Sequence, residues 1–87
     1  MYSKNTIIIN KAGLHARPAN LFVTAAKKFK SDITIEINQK KANAKSVISI
    51  LGLEAASGSP VIITAEGIDE EAAVKELVNL IEAGLGE

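Results

Sequence analysis

The single histidine of the chain, His15, stands two residues before its single arginine, Arg17, and Pro18 follows directly. With no cysteine and no second histidine, a zinc site is not expected. No aspartate or glutamate lies beside His15, so nothing local supports a hydrolytic triad or a carboxylate-oriented base. What remains is the imidazole itself, acting as a nucleophile. Pro18 suits the first turn of a helix, where its missing N–H costs nothing. A helix opening near Ala16 makes His15 its N-cap, and the unpaired N–H groups of the first turn converge beside that position. Such a place favours a phosphate and disfavours imidazolium, so the ring is expected in its neutral, attacking form.

Arg17 fits the same chemistry. Its planar guanidinium makes paired, charge-assisted bonds to phosphoryl oxygens, which lysine does not reproduce. A helix terminus contributes about 0.3–1 kcal/mol to an exposed anion, and a charge-assisted hydrogen bond about 1.5–3 kcal/mol. Together these steady a transferred phosphoryl group without trapping it. Taken singly, each residue has a plainer reading: a surface histidine, a solvated arginine, a helix start. Their combination points to phosphoryl transfer.

The rest of the composition narrows the field. At 87 residues the chain is expected to form one domain, 1–87, whose core uses most of its apolar surface. Ten basic side chains balance ten acidic ones, which argues against a sequence-independent grip on nucleic acid or an anionic membrane. Tyr2, Phe22 and Phe29 are a poor platform for stacking bases. No apolar run approaches a membrane span, and the first residues lack the pattern of a secretory signal, so a cytoplasmic protein is expected. No nucleotide-binding loop is present, and neither cofactor nor metal is expected.

Several elements position the histidine. "NTIIIN" predicts a strand over about 4–10. Ala19, Phe22, Val23, Ala26 and Phe29 mark one apolar stripe of a helix, with Lys27, Lys28 and Lys30 near its negative end. Ile33, Ile35 and Ile37 alternate with Thr34 and Glu36 in a second strand. "NQKK" then turns into a short partner strand, "KANA", without the glycine that a two-residue primed turn prefers. "SVISILGL" is read as a short helix capped by Ser46 and stopped at Gly52. "VIITAE" is a further strand, with Val61, Ile63 and Ala65 on one side. The last helix is capped by Asp69, carries Val74, Leu77, Val78 and Ile81 inward, and ends at Gly84. The order βαββαβα with cleanly alternating strands predicts an α+β open-faced sandwich: an antiparallel sheet with its helices on one face, and Glu36 and Glu66 on the other.

"GLHARPA" over 13–19, followed after the hairpin by "NAKS" ending at Ser46, resembles the HPr family, the histidine-containing phosphocarriers of the bacterial sugar phosphotransferase system. The resemblance runs over essentially the whole chain and implies a four-stranded sheet in the order 1-4-2-3. It implies that His15 accepts a phosphoryl group on Nδ1 from phosphorylated enzyme I, itself charged from phosphoenolpyruvate. His15 then delivers it to a histidine of a sugar-specific enzyme IIA, with Arg17 contacting the group in transit. Ser46 matches a serine modified by an ATP-dependent kinase/phosphorylase in some members, with a transcriptional regulator as a further partner. On residue type alone, Ser46 is also a plain N-cap, worth about 0.5–2 kcal/mol. Asn20, Thr24, Val47, Ile48 and Leu51 match the partner-docking face. Of these, Val47, Ile48 and Leu51 are expected to be at least partly exposed while Ile50 and Leu53 turn inward. Arg17, Lys27 and Lys45 would ring that patch and favour acidic partners. A carrier presenting one site to successive partners is expected to be a monomer. Departures from the family pattern are Glu54 where glycine is common, Gly52 where serine or threonine is common, Ile48 where methionine or phenylalanine is common, and "NQK" for "NGK".

Two other functions compete. One is a regulatory binding module of the same fold acting mainly through phospho-Ser46 in catabolite control; paralogues of that kind lack the histidine, so His15 favours the carrier. The other is an autonomous enzyme with a phosphohistidine intermediate, which the absence of an acid or base near His15 argues against.

Overall fold

Three isoleucines at alternate positions need one dry face, and the structure provides it. In a computed structural model describing residues 1–86, Ile33, Ile35 and Ile37 lie opposite Ala65, Ile63 and Val61 across a strand pair, and all six are buried. The elements in chain order are β1 (Tyr2–Ile7), α1 (Ala16–Ala26), β2 (Asp32–Ile37), β3 (Lys40–Asn43), α2 (Val47–Leu51), β4 (Pro60–Glu66) and α3 (Glu70–Glu82). The sheet order is β1-β4-β2-β3, antiparallel throughout. Phe22 and Val23 of α1, Ile50 of α2, and Val74, Leu77 and Ile81 of α3 close over the isoleucines in one continuous core. The other face is open, and Thr34, Glu36, Ile62, Thr64 and Glu66 line it.

Several boundaries differ from the sequence expectation. β1 ends at Ile7 rather than at residue 10, because the chain opposite bulges beyond Pro60: Ser59 N–H turns to the Ala56 carbonyl at 3.1 Å and does not return to Ile8. Ile8 instead donates to the Ser59 carbonyl at 3.0 Å and accepts from Gly58 N–H at 2.7 Å, and residues 10–13 close a turn. α1 ends at Ala26. Lys28 and Phe29 reach back only three residues, to Ala25 and Ala26 at 3.2 Å, so the last turn tightens and the lysines lie beyond the helix proper. β3 runs one residue earlier than "KANA". The hairpin turn is a two-residue primed one, with positive φ at Asn38 (54°) and Gln39 (68°), although neither residue is glycine.

The helix ends carry two corrections. Asp69 occupies the N-cap position of α3, yet its side chain makes no capping bond. Its carboxylate instead accepts from Lys30 N–H (2.8 Å), Ser31 N–H (2.9 Å) and the Ser31 hydroxyl, tying the start of α3 to the α1–β2 connection. Glu70 takes over locally, accepting from Gly67 N–H at 3.1 Å. Gly52 follows α2 as expected but is right-handed (φ −64°), and the left-handed residue is Glu54 (φ 51°). α3 ends as expected: Gly84 is left-handed (φ 85°), its N–H bonds to Ile81 and that of Leu85 bonds to Leu80 in a Schellman arrangement.

Two measurements follow. Gln39→Gly removes a left-handed side chain and is expected to raise the free energy of unfolding by roughly 0.5–1 kcal/mol, net of glycine's extra unfolded-chain entropy, as read by urea denaturation. The hydrogen bonds of Ser31, followed by that of Lys30, hold the Asp69 carboxyl at about 2. The native state is therefore favoured above the unfolded-chain value of about 3.9, and that contribution vanishes as pH falls through about 2. Denaturation between pH 5 and pH 2 should show a steeper loss of stability in the wild type than in Asp69→Asn, which starts less stable at neutral pH.

Candidate functional site

Where His15 stands is decided at Gly13. Its φ is +71°, and a Cβ there would lie 2.1 Å from the Ala55 carbonyl oxygen. Only glycine fits this close approach. It brings residues 13–14 onto the segment after α2, where Leu14 N–H donates to that same Ala55 carbonyl at 3.1 Å and the Leu14 side chain is buried. The chain then leaves His15 in an extended conformation (φ −95°, ψ −169°) as the N-cap of α1. The main chain of His15 opens the helix, its carbonyl accepting from Ala19 N–H at 3.0 Å, while its ring makes no capping hydrogen bond. The residue is half-buried. The amides of the first turn of α1 open beside this residue.

Arg17 is exposed on the first turn of α1, and Pro18 beside it is buried, anchoring that turn to the core. Arg17, Asn20 and Thr24 share one side of α1 and, with Ala16, Leu21 and Gly86, line an open groove of about 510 Å³. On α2, Ile48 is 84% exposed, Val47 and Leu51 are half-buried and Ile50 faces the core, as does Leu53 just beyond the helix. α2 packs on α1, so Asn20 and Thr24 belong to the same helix layer as the exposed part of α2. Ser46 is the N-cap of α2, its hydroxyl accepting from Ser49 N–H at 3.2 Å. Lys45 differs from expectation. Its ammonium donates to the Phe29 carbonyl at 2.8 Å and tethers the end of the α1 region, so it is not simply a cation ringing the patch.

Two supports of the site escaped the sequence reading. Asn10 is buried and donates through Nδ2 to the Gly84 carbonyl at 2.6 Å, fastening the turn before His15 to the end of α3. The only signal was a polar residue closing an isoleucine run. The Ala55 carbonyl carried no signal at all, being a main-chain group of an ordinary alanine. Among the described residues, no group of three or more histidine, aspartate or glutamate side chains gathers as a metal site, and no helix is long and apolar enough to cross a membrane.

A family profile described as "PTS HPr component phosphorylation site" matches residues 2–83. The chain belongs to the HPr family. A curated phosphocarrier protein HPr from Borreliella burgdorferi is 47% identical over 83 residues, covering 95% of this chain and 96% of the relative. An HPr-like protein Crh from Halalkalibacterium halodurans is 44% identical, covering 94% and 98%. HPr of Thermoanaerobacter tengcongensis superimposes with a TM-score of 0.95 at 52% identity, covering 100% of this chain and 98% of that one. A second structure of HPr from that organism is a dimer, with a TM-score of 0.79 at 55% identity over 94% and 95% of the two chains. HPr proteins are phosphocarriers of the phosphotransferase system and not enzymes with turnover of their own.

Gly13→Ala tests the geometry that holds the histidine. The added methyl group must displace the Ala55 carbonyl and adopt a left-handed backbone, a loss of roughly 2–4 kcal/mol. Thermal unfolding would measure it, and the amide resonances of Leu14 and Ala55 should move furthest.

Proposed function

We propose that this protein carries phosphoryl groups on His15 in phosphoenolpyruvate-dependent sugar uptake. The Nδ1 lone pair forms a bond to phosphorus as the bond between that phosphorus and phosphorylated enzyme I breaks. In the second transfer the Nδ1–P bond breaks as a histidine of a sugar-specific enzyme IIA forms its own. Arg17 contacts the phosphoryl oxygens in both steps, and Asn20, Thr24, Val47, Ile48 and Leu51 receive the partners. The observation supporting this reading is the place of His15: it is the extended N-cap residue of α1, its carbonyl accepting from Ala19 N–H, so its side chain leaves the chain at the helix N-terminus. The working unit is residues 1–87 as one cytoplasmic domain, acting as a monomer.

Ser46 is a second site in this reading. A kinase/phosphorylase would replace its hydroxyl cap by a phosphate at the start of α2, where the backbone amides tolerate the charge. The dianion then stands next to Val47 and Ile48, repelling acidic partners, and a transcriptional regulator would recognise it. The similarity to Crh supports a module acting mainly through phospho-Ser46 in catabolite control as the alternative.

Incubation with phosphoenolpyruvate and catalytic enzyme I is expected to add one acid-labile, base-stable phosphate, lost in His15→Ala. Arg17→Lys should slow transfer by roughly 10- to 100-fold, the loss of one charge-assisted interaction. No labelling by a competent enzyme I overturns the carrier reading. With ATP and the kinase, an acid-stable phosphate lost in Ser46→Ala is expected; labelling at Ser46 alone favours the alternative.

A further inference from the structure

Asn10 is an amide buried to 4% exposure in the turn that leads to His15. An amide removed from water costs free energy unless it is bonded, and an apolar residue would fill the same place without that cost. Its Nδ2 donates to the Gly84 carbonyl at 2.6 Å. That carbonyl lies just beyond α3, and Leu85, next in the chain, is fully buried, so the acceptor is itself fixed to the core.

From Asn10 the hydrogen bonds run on to the histidine. Its carbonyl accepts from Gly13 N–H at 3.0 Å, and the Gly13 carbonyl accepts from His15 N–H at 3.3 Å. The His15 carbonyl is held by Ala19 N–H at 3.0 Å, so both main-chain polar groups of His15 are engaged. The turn thereby sets the direction in which the His15 side chain leaves the backbone. It has two anchors on different elements: Ala55 after α2, through Leu14 N–H, and Gly84 after α3, through the Asn10 side chain. Two anchors fix a segment, whereas one leaves a pivot.

We propose that Asn10 is a positioning residue for phosphoryl transfer: its bond to the Gly84 carbonyl stops the 10–13 turn from pivoting about the Ala55 contact and so holds His15 where Nδ1 reaches phosphorus. The inference rests on the phosphocarrier reading. Asn10 acts through the turn and does not touch the reacting atoms. Releasing it misaligns the nucleophile, which lowers the rate of the transfer step and leaves partner binding as it was.

The test compares Asn10→Asp, Asn10→Ala and a control, Thr6→Val. Asn10→Asp keeps the shape and replaces the donor by an acceptor. Thr6→Val removes another side-chain bond to α3, from the Thr6 hydroxyl to Glu82 at 3.1 Å, and leaves the turn alone. With phosphoenolpyruvate and enzyme I, both Asn10 variants are expected to lower kcat roughly five- to thirtyfold with KM changed less than about twofold. Thr6→Val should keep both constants within about twofold of the wild type. Hydrogen exchange at the Gly13 and His15 amides should quicken roughly tenfold or more in the Asn10 variants and not in Thr6→Val. In the wild type, the side-chain amide protons of Asn10 should exchange slowly. Unchanged kcat in the folded Asn10 variants, an effect on KM alone, or an equal loss in Thr6→Val overturns the inference and leaves the carrier reading standing. Rapid exchange of the wild-type Asn10 side chain overturns it without any variant. Absence of His15 labelling in the wild type overturns the carrier reading with it.

Discussion

The bond from Leu14 N–H to the Ala55 carbonyl, and the glycine that permits it, is the constraint on which the site depends. A histidine at the opening of a helix is a useful nucleophile only if the chain before it is held in one conformation. Gly13 allows the backbone to press against the Ala55 carbonyl, and Leu14 then fills a core position, leaving residue 15 extended at the surface. The rigidity of this turn is thus imported from the core. The same contact joins the chain before His15 to the segment that leaves α2.

The rest of the fold serves this arrangement by holding the ends of the helices. Asn10 fastens the approach to His15 to the Schellman turn that closes α3. At the other end, Asp69 clasps Lys30 and Ser31, and Lys45 clasps Phe29, so the connection after α1 is fixed from two sides. These bonds join polar groups at element ends that would otherwise stand unpaired, where the apolar core cannot help. The one-sided sheet supplies the floor. Its buried face is almost wholly isoleucine, valine and alanine, shapes that a pleated surface packs well.

A phosphoryl carrier must hold its cargo well enough to transport it and loosely enough to release it. In the proposed relay an exposed helix terminus and one guanidinium would meet that condition, since their contributions amount to a few kcal/mol. The proposed docking surface follows the same economy: Ile48 is open and Val47 and Leu51 half-open, a patch that would suit brief encounters with successive partners.

Element order, the inward residues of each strand and helix, and the chemical promise of His15 with Arg17 were legible in the linear chain. Periodicity and residue type are properties of short windows, and they survive folding. The same is true of Ser46 as a cap and Gly84 as a stop, because each acts on neighbours within one turn. What the chain alone did not disclose were the groups whose partners are distant in sequence: the Ala55 carbonyl beneath Gly13, Asp69 reaching Ser31 rather than its own helix, and Lys45 turned to Phe29. Nor did it disclose that β1 stops where the chain opposite bulges at Gly58 and Ser59, or that Glu54 rather than Gly52 takes the left-handed turn. Tertiary structure decided these because a donor takes whichever acceptor the packed segments bring within reach, and that choice exists only once the core has closed.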